Sequence, residues 1–155
     1  LLATQRINQP APAQLPMRFA NFYTFSFAEL EEKMNPILPG APWLIAHKSM
    51  LGINQPNKIT LNGQDYVLWQ NETGEVFALD NICPHMQAPL SNGWICQERN
   101  TITCPFHALE FDGQGRLYQE GKQDVKPVAK PLDIMIVGDC IWTYGGYEPR
   151  LPIPD

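Results

Sequence analysis

Four residues carry the chemistry that this sequence offers most plainly: Cys83 and His85, one residue apart, and Cys104 and His107, two apart. In each pair a proline, Pro84 or Pro105, directly follows the cysteine and restricts the backbone. Each motif is therefore a stiff loop presenting one thiolate and one imidazole. The two loops make a four-ligand site if they meet. Tetrahedral sets of two Cys and two His suit zinc and also suit a two-iron, two-sulfide cluster. Structural zinc usually takes its half-sites from a Cys-x2-4-Cys knuckle or a His-x3-5-His helix, and neither spacing occurs here. A Cys-x-His loop facing a Cys-x2-His loop lets each loop give one ligand to each of two irons. The spacing thus favours a cluster over zinc, and either over four unligated side chains.

Two such loops need a frame, and the remainder of the chain reads as short strands. With 15 prolines and 11 glycines in 155 residues, many turns are expected and an all-helical fold is not. "APWLIAHKSML", "KITLNG", "QDYVLWQN" and "EVFALDN" are β-branched or aromatic-rich runs separated by "NQPN", "NG" and "ETGE", the punctuation of hairpins. After the ligand-bearing stretch, "LEFDGQGRLYQ" reads as a hairpin around Asp112-Gly113-Gln114-Gly115, and "IMIVGDCIWTYGG" as two strands around Gly138-Asp139. Residues 1–17, rich in Pro, Gln and Ala, read as an extended arm. Residues 26–34, "SFAELEEKM", read as one short helix capped by Ser26 and stopped by Asn35-Pro36. The tail "YEPRLPIPD" is expected to leave the body as an extended linker, because its prolines lack backbone donors.

Composition excludes several functions. A net charge of -5 leaves no basic excess for a phosphate backbone. The longest mostly apolar run, "DIMIVGDCIW", is too short and too acidic to span a bilayer as a helix. The first residues lack both an initiating Met and a signal-peptide core, so the chain is expected to be processed or cut from something longer. Two of the four cysteines sit in histidine-containing motifs, which favours metal over crosslinks and points to a reducing compartment, the cytoplasm. Cys96 and Cys140 read as half-buried strand thiols, and His47, in "WLIAHKS", as a hydrogen-bonded strand histidine.

Beyond the ligands, "ALDNICPHMQAPLSNGW", "CPFH" and "EFDGQGR" make the chain resemble a Rieske [2Fe-2S] domain. The resemblance implies an all-β fold: an antiparallel β-sandwich over residues 43–146, with a cluster-binding subdomain of two hairpin loops at about 81–113. A preceding arm and helix (residues 1–42) and a Pro-rich linker (residues 147–155) flank it. It also implies that Cys83 and Cys104 bind the inner iron and His85 and His107 the outer one. Two ferric ions, two sulfides and two thiolates sum to a neutral oxidised cluster, whereas four thiolates make it doubly negative. That difference fits the higher potentials of such centres, roughly -150 to +300 mV against about -400 mV for plant-type clusters. High-potential members carry two more cysteines that tie the loops together; here Ala88 and Phe106 stand at those positions. The resemblance therefore places the chain in the low-potential branch, closest to the amino-terminal domains of Rieske non-haem iron oxygenases. It departs from that branch's "CPHRG" and "CPYHGW" at Met86, Ala108 and Leu109.

The function implied is one-electron transfer as the electron-inlet domain of such an oxygenase. A reductase or ferredoxin would be the donor, and a mononuclear Fe(II) in a separate catalytic domain the acceptor. With His85 and His107 committed, His47 alone cannot make the two-histidine, one-carboxylate triad of that iron, so this chain is not expected to oxygenate by itself. The alternatives are a stand-alone Rieske ferredoxin and, less favoured, a structural zinc module.

Overall fold

The computed structural model describes residues 39–122 and 125–154. The expected arm over residues 1–17 and helix over residues 26–34 lie outside the described residues. Within the described residues the chain is all-β, with nine strands in three antiparallel three-stranded sheets. The strands are β1 (Trp43–His47), β2 (Asn57–Leu61), β3 (Gln64–Gln70), β4 (Val76–Asp80), β5 (Trp94–Cys96), β6 (Thr101–Thr103), β7 (Glu110–Phe111), β8 (Met135–Val137) and β9 (Cys140–Thr143). The sheets run β1-β9-β8, β2-β3-β4 and β5-β6-β7. No described helix is long and apolar enough to cross a membrane.

The β2-β3-β4 sheet is the middle layer. Alternate side chains of a strand face opposite sides of its sheet, so a strand buried on both faces needs an unbroken apolar run. β3 supplies one: Val67, Leu68 and Trp69 are all fully buried. Val67 and Trp69, with Leu79 of β4, enter a core shared with Ile95, Ile102 and Phe111 of the β5-β6-β7 sheet. Tyr66 and Leu68, with Ala78, enter a second core with Ala46 and Ile141 of the β1-β9-β8 sheet. Trp69 also stacks on Phe77, with ring centroids 5.3 Å apart, and its indole N–H reaches Asn100 Oδ1 at 3.4 Å, tying the middle sheet to the β5-β6 turn.

Turn chemistry sets the registers. β2 and β3 meet at Asn62-Gly63, both at positive φ (51° and 77°), as a two-residue hairpin with the sheet's own twist requires. Between β3 and β4 the Asn71 carboxamide accepts from the N–H groups of Thr73 and Glu75 and closes the turn. β8 and β9 join through Gly138-Asp139, with Val137 opposite Cys140.

Two features depart from the sequence expectation. Only the second ligand loop is a hairpin tip, between β6 and β7; the first runs from β4 in the middle sheet to β5 in another. The tail does not leave the body at residue 147. Arg150 and Leu151 donate their N–H groups to the Gly40 carbonyl at 2.9 and 3.0 Å, and the Tyr144 hydroxyl donates to the Leu151 carbonyl at 2.7 Å. Prolines 149 and 152 flank these donors without replacing them, so the segment retains enough N–H groups to be pinned.

Gly93 lies where the first loop turns into β5. A Cβ there would stand 1.8 Å from the Thr103 carbonyl oxygen, inside the strand that leads to Cys104. Gly93→Ala is expected to force β5 and β6 apart and to cost about 1–3 kcal/mol. The check is a lower urea midpoint at an unchanged slope.

Candidate metal centre

The two ligand loops share one backbone template. In the first, Cys83 N–H donates to the Ala88 carbonyl and Gln87 N–H donates back to the Cys83 carbonyl, both at 2.8 Å. In the second, Cys104 N–H donates to Leu109 at 2.8 Å and Ala108 N–H to Cys104 at 3.1 Å. The residue four after each cysteine, Gln87 or Ala108, holds a positive φ, 58° and 52° respectively. Each is a six-residue loop stiffened by proline at its second position. The histidine is third in one loop and fourth in the other.

The four candidate ligands meet as two pairs, thiol with thiol and imidazole with imidazole. Cys83 and Cys104 are each 1% exposed and lie in the same core as Leu90, Ile95, Ile102 and Phe111. Both are free thiols. His85 and His107 are exposed, with ring centroids 4.8 Å apart and planes at 72°. The donors therefore form two pairs, buried thiols and solvent-facing imidazoles. Among the described residues no three His, Cys, Asp or Glu side chains converge on a position for a single metal ion. A dinuclear group in which each metal takes two protein ligands is compatible with this pairing.

Electrostatics keep the Cys83 thiol protonated in the metal-free protein. Burial pushes the Cys83 thiol above its ordinary pKa; the backbone N–H groups of His85 and Met86 pull it down, and the neighbouring Cys104 adds to the rise. Two apolar-walled thiols in contact do not ionise together unaided, but a metal ion deprotonates its thiol ligands. The N–H groups of His85 and Met86 already point at the sulfur that would carry the charge.

The positions that depart from the oxygenase pattern each have a visible setting. Met86 and Phe106 project outward, 57% and 62% exposed, and Phe106 lies edge-on to His107 at 6.3 Å. Leu109 instead turns inward against the thiol-bearing core. Ala108 adopts the left-handed conformation that glycine takes more cheaply. Of the bystanders, His47 sits in the β1-β9-β8 sheet with Nδ1 engaged by Ser49 at 2.8 Å, while Cys96 and Cys140 are half-buried strand-end thiols; none joins the site.

The contacts that support the loops were not evident from sequence. Arg99, the only Lys or Arg among residues 81–113, is held by Glu110 through two bonds of 2.8 and 2.6 Å, and Thr101 Oγ1 donates to the same carboxylate at 2.7 Å. The Arg99 guanidinium also lies 4.9 Å from the Tyr118 ring centroid. At the first loop, Asn81 bonds to Ser91 across the loop's base. The side-chain types were visible in the sequence, but their pairing across the loops was not.

A profile of the Rieske [2Fe-2S] domain matches residues 42–131, more than half of the chain. The chain belongs to the Rieske domain family. Membership implies a [2Fe-2S] cluster, which the paired donor set fits. The domain is 28% identical over 126 residues to aminopyrrolnitrin oxygenase PrnD of Pseudomonas fluorescens, covering 74% of this chain and 34% of that protein. It is 26% identical over 146 residues to the 5,5'-dehydrodivanillate O-demethylase oxygenase subunit of a Sphingobium species, covering 83% of this chain and 34% of the relative. The chain thus spans about a third of these relatives' length. Among solved structures, dicamba monooxygenase with non-heme iron and dicamba aligns at a TM-score of 0.62 and 30% identity, over 76% of this chain and 37% of that one. The ferredoxin of carbazole 1,9a-dioxygenase from Nocardioides aromaticivorans IC177 aligns at 0.58 and 22% identity, over 71% of this chain and 99% of the ferredoxin; this likeness shows the fold alone.

The Rieske domain's second loop rests on the Glu110 pair, which gives a pH prediction. The Arg99 hydrogen bond holds the Glu110 carboxyl below the usual carboxylate range; burial opposes it, and Thr101 and the Arg99 charge reinforce it. A carboxyl with a depressed folded-state pKa stabilises the fold above its unfolded pKa, near ~4.3, and that contribution is lost as pH falls through the folded value. Glu110→Gln should therefore lower the urea midpoint at pH 7, and the deficit should fade on acidification below about pH 4. A pH-independent deficit would show that packing, not ionisation, is what the substitution removes.

Proposed function

We propose that this chain is the electron-inlet domain of a Rieske non-haem iron oxygenase, with Cys83 and Cys104 as ligands of an inner iron and His85 and His107 as ligands of an outer one. The observation that carries this reading is the buried thiol pair beneath an exposed imidazole pair. When bound, the cluster supplies a site that gains and loses a single electron. The protein residues do the rest. Val67, Leu90, Ile102 and Phe111 keep water from the thiolates, and the N–H groups of His85 and Met86 offset part of their charge. His85 and His107 present the outer edge to solvent, where a partner comes within tunnelling reach.

The outer tip, Pro84 to Gln87 and Pro105 to Ala108, contains no Asp, Glu, Lys or Arg. Docking would then rest on shape and apolar contact from Met86 and Phe106, with little electrostatic steering. A reductase or ferredoxin is the donor on this reading, and a mononuclear-iron domain the acceptor. Free thiols at the centre favour a reducing compartment. The oxygenase reading draws on the 30% identity to dicamba monooxygenase.

Purified anaerobically, the protein should hold about two irons and two acid-labile sulfides per chain. A Cys83→Ser, Cys104→Ser double variant should hold neither. Stoichiometric zinc without sulfide would refute the reading. His85→Cys or His107→Cys, where a cluster survives, should lower the midpoint potential because each adds a negative charge.

The cluster-loaded chain should also take up one electron per two irons and return it to a chemical acceptor. With dioxygen and candidate substrates it should form no hydroxylated product, since its three histidines leave only His47 outside the cluster site. Coupled hydroxylation by these 155 residues would overturn the division of labour.

A further inference from the structure

The two ligand loops share a backbone but not a foundation. The second is closed at its base by a strand ladder: Thr103 and Glu110, which flank it, are paired across β6 and β7. The first has no ladder across its base, because β4 before it and β5 after it belong to different sheets. Yet its ends must be held as firmly, since it delivers one thiol to the buried pair and one imidazole to the exposed pair.

Asn81 sits where the missing ladder would begin. It is 4% exposed. Its Oδ1 accepts the Ser91 N–H at 2.7 Å, and its Nδ2 donates to Ser91 Oγ at 2.9 Å, so one carboxamide makes two bonds across the loop's base. Its own N–H donates to the Asp65 carbonyl at 2.9 Å, anchoring the bracket to the middle sheet. Between Asn81 and Ser91 lie Cys83, His85 and the loop's two internal backbone bonds. Leu90, fully buried, fixes the returning end from below. A buried amide is costly to leave unpaired, and this one is paired on both its oxygen and its nitrogen.

We propose that the Asn81 carboxamide is the positioning group of the first loop, replacing the ladder that closes the second and fixing Cys83 and His85 relative to Cys104 and His107. The role rests on the ligand assignment above. It requires a side chain with an acceptor and a donor on one planar group, directed at a backbone N–H and a hydroxyl two bonds apart. Aspartate matches the shape and loses the donor. Alanine loses both.

The test uses the cluster-loaded protein and two readouts: the rate at which cluster absorbance bleaches in chelator, and the EPR spectrum of the reduced cluster. Asn81→Ala should bleach about tenfold faster or more, and Ser91→Ala, which loses one bond, about fivefold faster. Both should broaden or shift the EPR features, and Ser91→Thr, which keeps hydroxyl and N–H, should restore them. Thr143→Val is the control for general destabilisation. Thr143 is also fully buried and bonds through its hydroxyl to Asp133 and Gly145, but it lies in the β1-β9-β8 sheet. It should lower the unfolding midpoint without moving either cluster readout. If Asn81→Ala changes the cluster no more than Thr143→Val does, the positioning role is wrong. If Asn81→Ala does not fold, Ser91→Ala decides by the same criterion. Absence of iron and sulfide from the parent protein would instead defeat the ligand assignment.

Discussion

Burying two thiols against each other while leaving two imidazoles in solvent is the constraint that the rest of this structure serves. A thiolate pair in an apolar core is unfavourable unless a cation compensates it, and exposed imidazoles must be held still without a core around them. The solution is a pair of loops with one backbone design. Each closes on its cysteine through reciprocal hydrogen bonds and turns at a residue in the left-handed region. Shifting the histidine by one position along that design gives the second loop a different reach from the first. The difference lets two similar loops meet face to face.

Holding those loops is the task of the middle sheet. β3 is buried on both sides because it carries two cores, one beneath the thiols and one beneath the β1-β9-β8 sheet. Around the ligands, charge is either absent or cancelled. The tip has no formally charged side chain, and the nearby Arg99 is neutralised by Glu110 while its plane leans on Tyr118. Met86 and Phe106 make the exposed edge apolar.

Much of this was legible in the sequence, for identifiable reasons. The candidate ligands stood out by spacing, Cys-x-His and Cys-x2-His with proline after each cysteine, and the structure pairs the two thiols and pairs the two imidazoles. The hairpins at Asn62-Gly63 and Gly138-Asp139 followed from residues that accept positive φ. The unbroken "YVLW" run marked a strand, although its burial on two faces became apparent only with three sheets in view. What stayed hidden was long-range. Nothing local in "NICPH" shows that the first loop leaves one sheet for another, and nothing in "APLS" shows that its serine returns to Asn81. The pinned tail was missed for a similar reason: its prolines drew attention away from the N–H groups between them, which found the Gly40 carbonyl. Residues 1–17 and 26–34 lie outside the described structure.

That last contact has a topological meaning. Gly40 and Leu151 are joined by a backbone hydrogen bond of 3.0 Å, so everything between them forms a nearly closed ring of chain. A unit whose two ends touch places little demand on whatever surrounds it, because a host polypeptide can be interrupted at one surface turn and resumed almost where it stopped. Residues 40–151 therefore have the geometry of a transposable cassette, one that could be grafted into an exposed loop of an unrelated scaffold without stretching either partner. The same closure makes the ring a natural candidate for circular permutation. New termini opened at the Asn71–Gly74 turn would fall between β3 and β4 and leave both ligand loops uncut.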